Sequence, residues 1–312
     1  MTVAEQNILQ GECLEVMKTL ESGSFDLILV DPPYGTVKGF ADSDKVQHGM
    51  KGKTGWDTVI DTEKLFQEYN RLLRMNGCLV MFAQEPYTSK LITEAHGNIP
   101  FSYRMIWLKD DFSNFLVVNK APVSYFEDIL VFFKKYDTLA QHPIREYSKK
   151  VISFIGKNLK QINEDLGHRK AEHFFYVEST QFGLCTKDVY EELCSKYALG
   201  GMEGFIGYEE LEETDRRFSR RFNLPIGKKY KSNILEYSKD RRGEHPTQKP
   251  LELIKDLIET YSNEGDNILD SCMGSGTTLV GAKKLNRNAT GVEISPEYCE
   301  IARKRLSQDL LF

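Results

Sequence analysis

The sequence predicts an α/β fold: a mixed, mainly parallel sheet interrupted by a mainly helical insertion. Three observations lead there. Short apolar runs alternate with helical periods from Gly11 to about Lys135, and the alternation resumes after His245. Phe25-Asp26-Leu27-Ile28-Leu29-Val30 is almost continuously apolar, as expected of a parallel strand buried on both faces. From Gln141 to Asp240 strand signals fade and charged helical periods take over.

In chain order, the spacing of apolar residues predicts helices over Leu14 to Leu20, Thr62 to Arg74 and Tyr87 to Ala95. Between and after them, strands are predicted over Phe25 to Val30, Gly77 to Phe82, Tyr103 to Leu108 and Asp128 to Phe133. Asn76-Gly77 supplies a left-handed stop for the second helix. The stretch from Gly35 to Thr58, rich in Gly, Lys, Asp and His, reads as a long loop. In the insertion, Ser148 to Leu166, Lys187 to Tyr197 and Tyr208 to Phe222 carry helical spacing. The last part reads helix (Leu251 to Tyr261), strand (Asn267 to Asp270), helix (Gly276 to Leu285), strand (Ala289 to Val292) and helix (Pro296 to Leu306). The division expected is therefore residues 1–140, an inserted region over 141–240, and 241–312.

Composition excludes several classes. No apolar stretch is long enough to span a bilayer, and Met1 to Gln10 lacks a secretory pattern, so a cytoplasmic protein is expected. The six cysteines show no CxxC pair and no metal spacing with the six histidines; no metal is expected, and His142, His168 and His173 read as surface or core residues. Net charge is −5, yet Arg216 to Arg242 holds ten basic residues against two acidic ones, a local +8 in a remainder of −13. Such a segment suits a polyanion bound on one face, or a solvated charged surface.

The chemistry-bearing motif is Asp31-Pro32-Pro33-Tyr34, directly after the first buried strand, where open α/β sheets place ligands. Two prolines fix φ and remove two backbone donors, leaving carbonyl oxygens as acceptors in a stiff loop. An exocyclic base amine is a poor nucleophile because its lone pair is delocalised. The Asp31 carboxylate and Pro32 carbonyl can hold its hydrogens as the nitrogen becomes tetrahedral, while Tyr34 stacks on the base. A second site follows the strand ending at Asp270: Ser271-Cys272-Met273-Gly274-Ser275-Gly276-Thr277-Thr278 leads into a helix. Its glycines allow close backbone approach to a nucleoside-type ligand, and Glu293, at the end of the next strand, is spaced to take ribose hydroxyls. Leu279 stands where a dinucleotide fingerprint needs glycine, so S-adenosylmethionine suits the loop better than NAD.

Together with His245-Pro246-Thr247-Gln248-Lys249-Pro250, these motifs resemble the β-class amino-methyltransferases that act on DNA. The likeness covers nearly everything outside Gln141 to Asp240 and keeps the family's motif order. It implies a Rossmann-like methyltransferase fold with circularly permuted motif order and a helical target-recognition insertion. It also implies that Asp270, Gly274, Gly276 and Thr277 surround the methionine part of S-adenosylmethionine, that Glu293 takes the ribose, that His245, Thr247 and Lys249 line the carboxylate side, and that Met273 and Asp31 also border the cofactor. Gly11-Glu12-Cys13 occupies the place of Gly-Asp-Cys beside the adenine, and Met273 stands where the family often has phenylalanine; both are departures. Trp56-Asp57 and Trp107 carry softer signals, with core packing the expectation for both tryptophans.

The partner implied is double-stranded DNA, with a flipped base in the pocket and phosphate contacts from Arg216, Arg217, Arg220, Arg221, Lys228, Lys229 and Lys231. Aspartate opening the motif resembles adenine-N6 enzymes more than cytosine-N4 ones. Cytosine-N4 methylation, transfer to an RNA or protein amine, and a catalytically silent DNA-binding module remain open alternatives, as do a homodimer and a separate restriction enzyme.

Overall fold

A computed structural model describes residues 4–35, 58–113, 119, 122–136, 142–240 and 248–308. The described residues of Met1–Leu73, Gly77–Lys134 and Arg220–Phe312 form one compact unit, and those of Arg74–Asn76 and Lys135–Ser219 a second.

The first unit is built on strands β1 (Gln6–Gln10), β2 (Phe25–Val30), β3 (Leu73–Ala83), β4 (Phe101–Ser113), β5 (Ser124–Phe133), β6 (Ile234–Glu236), β7 (Asn267–Asp270) and β8 (Asn288–Glu293). They form one sheet in the order β1-β8-β7-β2-β3-β5-β4-β6. From β1 to β3 every pairing is parallel; β3 with β5 and β5 with β4 are antiparallel, and β6 joins β4 in parallel. The expected mixed, mainly parallel sheet is thus observed.

Period-two alternation sorts each central strand between two cores. Leu27 and Leu29 of β2, Val80 and Phe82 of β3, and Ile129 and Val131 of β5 enter one. Their neighbours Ile28 and Val30, Leu79 and Met81, and Leu130 and Phe132 enter the other. The first is closed by α9 (Leu251–Tyr261), α10 (Thr277–Lys284) and α11 (Pro296–Gln308), the second by α1 (Cys13–Met17), α2 (Thr62–Leu72) and α3 (Tyr87–Thr93). Each fully buried aliphatic side chain contributes roughly 1.5–3 kcal/mol, so the two-faced apolar strands commit the sheet to this sandwich.

Several boundaries differ from expectation for local reasons. Helix α1 stops at Met17 because Thr19 and Leu20 tighten onto Val16 and Met17, while the Arg71 guanidinium donates to the carbonyls of Met17 (2.6 Å) and Leu20 (2.8 Å). Asn76 is left-handed (φ 60°) but lies within β3, in the interval where pairing with β2 shifts from Phe25↔Leu73 to Leu27↔Cys78. The helix it was expected to end stops at Leu72. Strands β1 and β6 escape the sequence pattern: Gln6-Asn7-Ile8-Leu9-Gln10 is too polar, and β6 has only three residues.

The second unit packs α4 (Ile144–Ile155), α5 (Leu159–Leu166), α6 (Glu172–Phe175), α7 (Lys187–Tyr197) and α8 (Tyr208–Arg217) around its own core. The predicted run from Ser148 to Leu166 is broken by left-handed Gly156 (φ 65°), and Asn158 restarts the chain with a capping box to Gln161. Buried Arg145 donates to the carbonyls of Val177 and Ser179 and lies over the Phe182 ring.

Candidate active site

Four consecutive parallel strands each deliver a carboxylate to the carboxyl edge of the sheet. Glu12 follows β1, Glu293 ends β8, Asp270 ends β7 and Asp31 follows β2. All four line one cavity of about 790 Å³, together with Pro32, Tyr34, Met273 and Thr277. The two motifs, more than two hundred residues apart, meet because β2 and β7 are direct neighbours, with Leu27↔Ile268 and Ile28↔Leu269 in register.

At the β2 end, both Asp31 oxygens are held. Oδ1 accepts from the Tyr34 hydroxyl at 2.6 Å, and Oδ2 accepts from the Lys249 ammonium. Burial and then the Asp31 charge hold the Tyr34 hydroxyl well above the usual tyrosine range, so it stays a donor. Burial works against the charge on Lys249, but Asp31 and Glu127 outweigh it and raise its pKa above the ordinary lysine value.

At the β7 and β8 ends, Glu293 accepts backbone N–H groups from Gly274 (3.0 Å) and Ser295 (2.8 Å). Each of its oxygens retains acceptor capacity. Burial raises the Glu293 pKa and pushes that of Asp270 up to about 7, although Thr278 and the Cys272 N–H act against the Asp270 shift. Gly276 adopts φ 78°, and a Cβ there would stand 2.8 Å from the Ala302 methyl; a Cβ on Gly291 would strike Met273 and Leu279. Gly276 is demanded by space as well as by turning, Gly291 by space alone. Glu12 caps α1 by accepting from the Glu15 N–H at 3.0 Å and receives the Cys13 thiol at 3.4 Å.

The cradle contains residues that sequence motifs did not single out. Arg305 of α11 donates to the Ser275 carbonyl (2.7 Å) and hydroxyl (2.9 Å) and to the Thr277 hydroxyl (3.1 Å), clamping the glycine loop. Gln248, part of the His245–Pro250 motif but given no role there, accepts from the Ser275 hydroxyl at 2.8 Å. Glu127 and Lys109 stand behind Lys249. An arginine thirty residues after the loop has no local signal; only packing of α11 brings it there.

A family model described as DNA methylase, N6_N4_Mtase, matches residues 25–304. The chain belongs to that DNA methylase family. It is 24% identical over 98% of its length to the type II methyltransferase M.HpaI of Haemophilus parainfluenzae, covering 75% of that protein. Identity to the DNA adenine methyltransferase YhdJ of Escherichia coli is 23% over 96% of the chain and 82% of the relative. Among solved structures, the M1.HpyAVI–SAM complex superposes with a TM-score of 0.52 at 20% identity, covering 96% of this chain and 99% of that one. That likeness concerns the fold.

Within this DNA methylase the remaining expected residues fall as follows. Pro33, Cys13, Gly274 and Lys249 line the cavity. His245, Thr247, Trp56 and Asp57 lie outside the described residues. Trp107 is buried in the core, its indole N–H donating to the Tyr237 carbonyl at 2.7 Å. Among the described residues of the first unit, Arg220, Arg221, Lys228, Lys229 and Lys231 do not line the cavity. Arg221 meets Asp266 (3.5 Å) just before β7 begins, and Arg220 lies over Phe133 (4.1 Å) where β5 ends, both at the opposite edge of the sheet. Lys231 is paired with Asp256 at 2.6 Å and is almost fully buried, whereas Lys228 and Lys229 are exposed. In the second unit, Arg216 pairs with Glu212 and Glu213, and Arg217 lies 4.0 Å from Glu213. Helix α8 carries Glu209, Glu210, Glu212, Glu213 and Asp215, a poor match to phosphate.

Proposed function

We propose that this DNA methylase transfers the methyl group of S-adenosylmethionine to the N6 amine of an adenine turned out of duplex DNA. The observation that carries this reading is the convergence of the Asp31-Pro32-Pro33-Tyr34 turn and the Asp270–Thr277 loop on one cavity. Its volume of about 790 Å³ suits a nucleoside cofactor together with a planar base.

The cofactor supplies an electrophilic methyl group on a sulfonium. The residues present fit it: Glu293 retains acceptor capacity for ribose hydroxyls, and Asp270 offers a carboxylate to a cationic amine. A buried Asp270 that is half neutral near pH 7 gains its charge when a cation arrives.

At the reacting centre the chain positions and polarises. The Asp31 carboxylate and Pro32 carbonyl accept the two amine hydrogens, and Tyr34 holds the base plane. As the amine lone pair took up the methyl group that bound S-adenosylmethionine would supply, the nitrogen would gain positive charge and then pass one proton to solvent. Positive charge therefore moves from sulfur to nitrogen, beside Asp31, which favours the transition state over the ground state. The Tyr34 hydroxyl, kept protonated, cannot compete as a base.

Adenine is favoured over cytosine by the aspartate that opens the motif and by the sequence likeness to YhdJ. We assign the second unit to target recognition, and keep the exposed Lys228 and Lys229 as phosphate-contact candidates, since Arg221 and Lys231 already neutralise Asp266 and Asp256. Incubation of unmodified duplex DNA with labelled cofactor, followed by nucleoside analysis, should yield 6-methyladenine; 4-methylcytosine alone would refute the base assignment. Asp31→Ala should abolish transfer with cofactor binding retained, and turnover by that variant would show the catalytic role to be misplaced.

A further inference from the structure

Behind Asp31, four side chains of alternating charge run into the sheet. Lys249 donates to Asp31 Oδ2 and stands 3.4 Å from Glu127 Oε2, and Glu127 Oε1 accepts from Lys109 Nζ at 3.1 Å. The two lysine side chains are 8% and 0% exposed and that of Glu127 is 16% exposed. Among the described residues Glu127 Oε2 makes no hydrogen bond, and it faces Lys249 at 3.4 Å as an ion pair. Burying the charges of Lys249, Glu127 and Lys109 beside Asp31 is costly, and a simple stabilising pair needs only two. Lys249 is instead shared between the carboxylate that meets substrate and one that borders the same cavity one layer back.

We propose that Glu127 is a positioning residue for methyl transfer, acting on Asp31 through Lys249; the proposal rests on the amino-methyltransferase reading above. An unshared ammonium at Asp31 Oδ2 would draw electron density from the carboxylate and weaken it as an acceptor for the amine. It would also oppose the positive charge that develops on nitrogen. Glu127 offsets that charge and fixes the lysine head, while Tyr34 fixes the other oxygen at 2.6 Å. The carboxylate plane is thereby set from both sides before substrate enters. Lys109 keeps Glu127 ionised: burial works against the Glu127 charge, and Lys249 and Lys109 together overcome it, holding its carboxyl below the ordinary value.

Single-turnover methylation of a long, unmodified duplex DNA of mixed sequence tests this, alongside calorimetric titration with S-adenosylmethionine. Glu127→Gln should slow transfer roughly 10- to 100-fold and leave cofactor affinity within about twofold, as expected when contacting charged groups are coupled. Glu127→Asp should recover part of the rate. In a Lys249→Met background, adding Glu127→Gln should change the rate by no more than about twofold, because the intermediary is gone. A fully active Glu127→Gln variant overturns the proposal, and so does an undiminished Glu127→Gln effect in the Lys249→Met background. If Glu127→Gln alone does not fold, Glu127→Asp measured in the wild-type and in the Lys249→Met background makes the same comparison: a slowing in the first that disappears in the second supports the proposal, and full activity in the first or an equal slowing in both overturns it. Wild-type protein that binds cofactor and methylates no DNA would refute the underlying reading; active wild-type protein with an active Glu127→Gln variant refutes only the role of Glu127.

Discussion

Replacing Asp270 by asparagine tests the electrostatics of the cofactor cradle. In the cofactor-free protein, burial first, and then the neighbouring carboxylates of Asp31 and Glu293, raise its pKa from 3.8 to about 7, against opposing hydrogen bonds from Thr278 and the Cys272 N–H. Below 3.8 both native and unfolded chains hold the proton. Between 3.8 and about 7 the unfolded chain releases it and the native one retains it, so stability falls as pH rises through this window and then levels off. At about 1.36 kcal/mol per unit, the penalty is about 2 kcal/mol at pH 5 and about 4 kcal/mol at pH 8.5. Asparagine carries no such penalty, and its own packing cost is the same at both pH values. The Asp270→Asn variant should therefore gain about 2–3 kcal/mol relative to wild type between pH 5 and pH 8.5. Urea unfolding of both proteins without cofactor, at the two pH values, measures this directly. A difference that does not change with pH, or that changes in the opposite direction, would refute a buried and strained carboxylate at the end of β7. The same variant should lose cofactor affinity at pH 8.5, and wild-type affinity should weaken as pH drops through 7, where Asp270 takes up its proton.

Other perturbations have equally definite outcomes. Glu293→Gln keeps one acceptor oxygen and loses the charge, and should weaken S-adenosylmethionine binding about 10- to 100-fold by calorimetry, with secondary structure unchanged. Gly276→Ala places a methyl 2.8 Å from Ala302 Cβ in a left-handed residue and should destabilise by about 1–3 kcal/mol in denaturant titration; an unaffected midpoint would mean that α11 yields freely. Lys231→Met strands the Asp256 carboxylate and should lower stability by about 1–3 kcal/mol while leaving the salt dependence of DNA binding unchanged. A shallower salt slope at wild-type stability would make Lys231 a phosphate contact instead.

The local sequence reached far into this protein. The apolar run Phe25 to Val30 fixed a strand buried on both faces, and the following Asp31 to Tyr34 fixed a stiff turn of acceptors, because both depend only on neighbouring residues. Helices α7 and α9 and strand β7 were legible to the residue. So were the glycine loop and Glu293, whose spacing follows from one strand, one helix and the next strand. Strands β1 and β6 were not, because an edge strand owes its conformation to pairing rather than to its own composition. The basic segment was visible as charge, but a chain of letters has no edges. Only the sheet puts Arg220 and Arg221 at the end away from the cavity and binds Lys231 to Asp256. In the same way, the residue types pointed to a methyl-transfer turn and a cofactor loop, and strand order brings both segments to one cavity by laying β7 against β2. The charges behind Asp31 belong wholly to tertiary structure: Lys109, Glu127 and Lys249 come from separate segments, and their proximity arises from antiparallel pairing of β4 with β5 and from the chain entering α9. Backbone propensity and motif spacing act over a few residues, whereas the electrostatics of a buried carboxylate depend on every charge within several ångströms, whatever its place in the chain.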